Sequence, residues 1–229
     1  MTERRIGLLG GMSWESTRTY YSLLNEFTAA SRGPWHQPLI LIDSLDFSEI
    51  VALQRAGDWN ATGRILAASA QRLERGGATI LAITANTMHV NFEQVVASVD
   101  LPVIDIREAI VDELRERGAS SLSLLGTKYV MAGNVFTPYL SGAGVDVVVP
   151  EENEQLELQR MIFEELTQGI VLESSRSTFL GIADHCRARG GEVVGLCCTE
   201  FGMLVDETAA SFPVIDSTKA HVRALLAHS

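Results

Sequence analysis

Short apolar runs alternate with longer amphipathic segments along the whole chain, and the alternation predicts eight strands separated by helices. The runs at residues 4–9, 38–45, 79–84, 102–106, 121–125, 145–149, 193–197 and 213–216 end in turn-forming residues. Continuous runs such as Leu39-Ile40-Leu41-Ile42 suit strands covered on both faces, as in parallel sheets flanked by helices. Thr62 to Arg75 places Ile65, Leu66, Ala70 and Leu73 on one helical face and stops at Gly76-Gly77. Arg107 to Arg117 turns Ile110, Val111 and Leu114 inward and stops at Gly118. Residues 153 to 168 set Leu156, Leu158, Met161, Ile162 and Leu166 against Glu and Gln. Strand–helix alternation of this kind predicts an α/β fold.

The pattern is written twice. Ile6-Gly7-Leu8-Leu9-Gly10-Gly11-Met12, followed by a helical stretch with Tyr20, Tyr21 and Leu24, is matched by Leu122-Ser123-Leu124-Leu125-Gly126-Thr127, followed by Tyr129, Phe136 and Tyr139. Ile80-Leu81-Ala82-Ile83-Thr84-Ala85-Asn86-Thr87 is likewise matched by Val193-Val194-Gly195-Leu196-Cys197-Cys198-Thr199-Glu200. Ala85 lies 75 residues after Gly10 and Cys198 lies 72 after Gly126, so the duplication sets a methyl group opposite a thiol. Two matched lobes predict a cleft with unlike walls. Leu101-Pro102 reads as the entry to the second lobe, and the strand Pro213-Val214-Ile215-Asp216 with the helix Ser217 to Ala227 as a return to the first. The expected lobes are therefore 1–101 with 214–229, and 102–213.

At 229 residues, 46% of them apolar, the chain can build two buried cores. A net charge of -11 argues against a nucleic-acid or anionic-membrane partner, since both reward clustered Lys and Arg. Cys186, Cys197 and Cys198, an odd number within 13 residues, do not form a disulfide framework, and a cytoplasmic setting is expected. The five histidines show no ligand spacing, so no metal is expected. The apolar run after Arg5 is too short for a signal peptide, and none approaches the roughly 20 residues that span a bilayer.

Chemistry is expected beyond the carboxyl ends of the strands, where helix N-termini present N–H groups. Four segments put polar residues there: Gly10-Gly11-Met12-Ser13, Ala85-Asn86-Thr87, Gly126-Thr127 and Cys198-Thr199-Glu200. Each Asn or Thr is open to two readings, a helix cap or a donor to a carboxylate. The glycine turn matches neither nucleotide fingerprint and reads as tight geometry, with close approach to a small ligand as the alternative. Cys197, inside a strand, reads as a small buried hydrophobe. Cys198 falls where strand becomes loop ahead of a helix, a place where a thiolate can be exposed and stabilised. Bringing its pKa from ~8.5 to near 7 requires about 2 kcal/mol. A helix terminus supplies only ~0.3–1 kcal/mol, so Thr199, backbone amides or the substrate ammonium must add the rest.

Leu8-Leu9-Gly10-Gly11-Met12-Ser13-Trp14-Glu15-Ser16-Thr17, Ala85-Asn86-Thr87-Met88-His89 and Cys198-Thr199-Glu200 together resemble the aspartate/glutamate racemase family, on its aspartate racemase branch. The resemblance covers essentially the whole chain. It implies two similar flavodoxin-like parallel-sheet lobes related by a pseudo-twofold duplication, a cofactor-independent site and a homodimer. It also implies a two-base mechanism, in which a cysteine on each side of the substrate Cα removes or returns the α-proton. By similarity Cys198 is the second of those cysteines. Asn86, Thr87, Thr127 and Thr199 match residues around the α-carboxylate and the reacting carbon, and Met12 and Gln54 match positions lining the pocket.

The chain departs from that pattern at the first cysteine, which is Ala85 here. Thr84, one residue earlier, has a hydroxyl, but neighbouring strand residues face opposite ways. The expectation is an amino-acid racemase on aspartate or glutamate, strongly biased in direction, with Cys198 as acid/base. Water, Thr84 or a substrate group would reprotonate the other face slowly. Two alternatives use the same site: a single-cysteine malonate decarboxylase or isomerase, and an amino-acid-binding protein that has lost turnover.

Overall fold

The computed structural model describes residues 4–206 and 210–228. In chain order the elements are β1 (Arg5–Gly10), α1 (Trp14–Arg32), β2 (Leu39–Ser44), α2 (Phe47–Ala56), α3 (Trp59–Arg75), β3 (Ile80–Ile83), α4 (Phe92–Val96), β4 (Val103–Ile104) and α5 (Ile106–Glu116). They continue with β5 (Ser121–Gly126), α6 (Lys128–Met131), α7 (Phe136–Gly142), β6 (Asp146–Val148), α8 (Glu152–Glu164), α9 (Glu173–Ala188), β7 (Val193–Cys197), β8 (Val214–Asp216) and α10 (Ser217–Ala227). Every expected strand is present. They form two four-stranded sheets of orders β2-β1-β3-β4 and β6-β5-β7-β8, parallel throughout. Each order is the beginning of the flavodoxin-like 2-1-3-4-5 arrangement, so the α/β expectation holds. Among the described residues no helix is long and apolar enough to cross a membrane.

The chain divides into two compact units, Met1–Asp105 with His221–Ser229, and Ile106–Ala220. Two strands lie in the opposite sheet from the one the sequence suggests. The strand after Pro102, read as opening the second lobe, pairs with β3 of the first sheet; the strand after Pro213, read as returning to the first lobe, pairs with β7 of the second. The reason is a second repeat, Pro102-Val103-Ile104-Asp105 and Pro213-Val214-Ile215-Asp216. Each copy forms the fourth strand at the edge of its own sheet, where proline at a strand start is tolerated. The carbonyls of Pro102 and Pro213 accept equivalent 2.9 Å bonds from the amides of Leu81 and Val194. In both copies a helix follows directly, and the chain changes unit there. Proline thus marks a strand start, with the change of unit a few residues later.

In the first unit, alternation along β1 sends Leu8 to a cluster with Tyr20, Leu24, Val222 and Leu225, and Leu9 to one with Leu66, Ala70, Leu73 and Ile83. α10 therefore completes the core of the first unit although it follows the last strand of the second. The second unit packs α8 and α9 around Leu158, Ile162, Phe179 and Val194, with Phe179 and Phe201 at 4.8 Å between ring centroids. Two expectations of burial fail. β2 is an edge strand whose Leu39 and Ile42 are 38% and 43% exposed, so the Leu39–Ile42 run is not covered on both faces. Leu156, placed inward by its spacing, is 61% exposed on α8.

His221 of α10 is fully buried in the first unit. Its Nδ1 accepts from the Tyr20 hydroxyl at 2.8 Å, and its Nε2–H donates to the Ile104 carbonyl at 2.9 Å. This places the proton of the neutral ring on Nε2. Burial, and then the neighbouring His89, pushes the His221 pKa down to about 3. Unfolded histidine binds a proton near pH 6.5 and the folded ring does not, so the unfolded chain gains protons first. This contribution leaves stability intact above pH ~6.5 and reduces it as pH falls towards 3, by up to about 1.4 kcal/mol per pH unit. Urea melts between pH 6.5 and 5 are expected to show this slope. A flat profile over that interval would show that the ring is protonated in the native state.

Candidate active site

The turn after β1 is built by small residues. Gly11 has φ of 85°, and a Cβ there would lie 2.2 Å from the Leu45 carbonyl oxygen, so close backbone approach demands glycine. The Gly11 amide donates to Thr17 Oγ1 at 2.8 Å, and Ser13 Oγ caps α1 by accepting from the Ser16 amide at 3.2 Å. The glycine pair therefore serves the tight turn between β1 and α1.

Within each sheet the register aligns the strand ends. Leu9 pairs with Ile83 in the first unit, and Leu125 with Leu196 in the second. One residue further along β3 and β7 come Thr84 and Cys197, both fully buried. Next come Ala85 and Cys198, which are 7% and 6% exposed. The equivalence of Ala85 with Cys198, first seen as a spacing, thus holds residue by residue.

On the first unit the structure brings Met12, Ala85 and Met88 into one cluster, and the Gln54 side-chain amide donates to Met88 Sδ at 3.2 Å. Asn86 is buried at the start of a short 3-10 helix (Thr87–Asn91) and makes no side-chain cap bond there. Helix capping is thus not its role, and Thr87 beside it is half-buried. Thr84 is turned the other way. Its hydroxyl donates to the Leu9 carbonyl at 3.0 Å and lies 3.4 Å from Thr17 Oγ1, while its carbonyl accepts from Ser16 Oγ. As a proton source for the Ala85 side, Thr84 is therefore poorly placed: it fastens β3 to β1 and to the start of α1.

On the second unit Thr127 follows β5 and caps α6, its hydroxyl oxygen accepting from the Val130 amide at 3.3 Å. Cys198 follows β7 in extended conformation, ahead of a five-residue 3-10 helix (Thr199–Met203). Its thiol donates to Glu200 Oε2 at 3.0 Å, and the Thr199 hydroxyl donates to the same oxygen at 2.7 Å. All three residues are buried. This overturns the expectation of an exposed, stabilised thiolate. Burial, followed by the Glu200 charge and its hydrogen bond, raises the Cys198 pKa well above the usual thiol value. Thr199, expected to support the sulfur, serves the carboxylate.

Glu200 is the residue that sequence reasoning left without a role, although its place two residues after the cysteine was visible. The other thiols are inert by position. Burial, ahead of the charge of Asp216, pushes Cys197 up, and burial above all pushes Cys186 up to about 11.

Residues 9–225 match the family model described as Asp/Glu/Hydantoin racemase. A structure from Yersinia pestis, provisionally assigned as an Asp/Glu racemase, superposes with a TM-score of 0.89 at 34% identity over 98% of each chain. An aspartate racemase homologue from Pyrococcus horikoshii OT3 superposes with a TM-score of 0.86, also at 34% identity over 98% of each chain. The chain belongs to the Asp/Glu/Hydantoin racemase family, whose members are isomerases. Among curated relatives, the broad specificity amino-acid racemase RacX of Bacillus subtilis (strain 168) is 21% identical over 216 residues, covering 93% of this chain and 92% of that protein.

Proposed function

We propose that this protein is an amino-acid racemase acting on aspartate or glutamate, without a cofactor, and that Cys198 serves one face of the substrate Cα. The observation that carries the reading is the buried Cys198–Glu200 pair at the end of β7, with Ala85 at the equivalent strand end of the other sheet. In the abstracting direction Glu200 takes the S–H proton, and the thiolate sulfur takes the α-hydrogen as a proton. The C–H electron pair stays on Cα and delocalises into the α-carboxylate, and water protonates the opposite face. A thiol held protonated by burial is costly to ionise, but its thiolate is correspondingly more basic, which suits a weakly acidic α-hydrogen. Asn86, Thr87, Thr127 and Thr199 are proposed to surround the α-carboxylate and reacting carbon, with Met12 and Gln54 lining the pocket. Thr84 drops out of this mechanism because its hydroxyl is committed to Leu9.

Incubation of each enantiomer in D2O tests the reading. Deuterium is expected to enter Cα of one enantiomer at least about tenfold faster than the other, the advantage of a positioned acid/base over water being ~10²–10⁴. Part of that label is found with retained configuration, because the sulfur exchanges the proton it took for solvent deuterium before returning it to the same face. Equal rates from both enantiomers, or none from either, would end the proposal.

A second reading is favoured by one observation, that the Cys198 thiol donates to Glu200 Oε2 at 3.0 Å while Ala85 offers no acid/base. Such a site suits decarboxylation of a disubstituted malonate, in which the C–C bond breaks to release carbon dioxide and the enediolate takes the thiol proton. Carbon dioxide release from an arylmalonate, with no exchange on amino acids, would select it.

A further inference from the structure

At the N-terminal ends of β1 and β2, the end of the first sheet away from Ala85, lies a solvent-facing pocket of about 130 Å³ lined by Arg4, Thr28, Ser31 and Arg32, with Ile6 and Pro38 among its apolar walls. No carboxylate of the described residues lines it. Arg4 reaches the α10 carbonyls of Leu225 and Leu226 with its two Nη groups, leaving Nε–H and further Nη–H donors. Arg32, the last residue of α1, forms no ion pair among the described residues. Partial burial, and then the like charge of Arg32, weakens the hold of Arg4 on its proton.

Thr28 adds an independent observation. It is 5% exposed, and its hydroxyl has no hydrogen-bond partner among the described residues. A threonine in a helix usually bonds the carbonyl one turn back, and a buried unmet hydroxyl costs about 1–3 kcal/mol. The pocket therefore combines two cations that repel one another with a polar group lacking a partner, and none of the described residues lining it is an anion.

We propose that this pocket is an oxyanion site that binds a phosphate group. Arg4 and Arg32 donate to the phosphate oxygens, and Thr28 turns its hydroxyl to the ligand. Guanidinium forks match phosphate geometry, and donors from two sides suit a tetrahedral group better than a planar one. The apolar walls leave room for the first carbon of a phosphate monoester, so the phosphate belongs either to a free ion or to a small phosphorylated metabolite. The site is distinct from the proposed catalytic residues and does not depend on their reading.

Equilibrium dialysis of the full chain against radiolabelled inorganic phosphate, at ionic strength fixed with sodium chloride, tests the proposal. Saturable binding near one ion per chain is expected. Arg32→Gln, at an exposed position that does not threaten the fold, should weaken it at least about tenfold, in line with the loss of a charge-assisted pair. Thr28→Val should weaken it roughly two- to tenfold, the range of one neutral hydrogen bond. Competition by glycerol phosphate identifies the source: displacement at lower concentration than unlabelled phosphate points to a monoester, and the reverse to the free ion. Absence of saturable binding, or an unchanged affinity in Arg32→Gln, overturns the site; the latter would locate the ion elsewhere on the protein.

Discussion

Cys198→Ser is expected to lower deuterium wash-in at Cα about 10³-fold or more, the scale of a lost general acid/base, while leaving substrate affinity largely intact. A serine hydroxyl preserves the hydrogen bond to Glu200 Oε2, so the fold should survive and the loss should fall on turnover. What it cannot preserve is acidity, since an alcohol yields its proton far less readily than a thiol. The neighbouring cysteine is the control. Cys197 is fully buried inside β7 and faces Gly195 and Asp216 rather than Glu200. Cys197→Ser places a hydroxyl there, which should cost about 1–3 kcal/mol of stability with little change in exchange. Progress curves by proton NMR in D2O, paired with urea melts, separate the two effects. An active Cys198→Ser enzyme would remove the catalytic assignment.

Ala85→Cys is expected to accelerate exchange from the slower enantiomer at least about tenfold and to leave the faster one within roughly twofold. The register supports this direction of change, because Ala85 stands two residues beyond the Leu9–Ile83 pair as Cys198 stands two beyond Leu125–Leu196. The substitution adds a sulfur beside Met12 and Met88, and overpacking of this kind costs about 1–3 kcal/mol. Flexible methionines absorb such additions better than branched side chains. Initial rates for both enantiomers, measured side by side for the parent and the variant, give the ratio directly. No gain from the slower enantiomer would mean that position 85 does not address the substrate.

The strands were legible because a parallel strand in a helix-flanked sheet is a continuous apolar run, and most of the eight are bounded by turn residues. The duplicated spacing likewise marks Ala85 and Cys198 as counterparts. Hidden from the sequence was which sheet β4 and β8 join, since periodicity describes one strand and pairing involves two. The exposure of Ile42 was hidden for the same reason: an edge strand and a central strand can carry the same residues. At the site, the protonation state of Cys198 escaped because a helix start suggested a stabilising field. The helix there is only five residues of 3-10 type, and burial with a carboxylate at 3.0 Å outweighs it. Thr84 shows the converse, since strand alternation correctly turned it away from Ala85.

The placement of α10 bears on how the molecule is made. Val222 and Leu225 cover the face of β1 that carries Ile6 and Leu8, so β1 waits for α10, which is made more than 200 residues later. During synthesis, at about 5–20 residues per second, that face stays open until the residues of α10 have left the ribosome, after the whole of the second unit's sheet. Translation order and folding order therefore diverge in this protein: the first unit begins first and is sealed last.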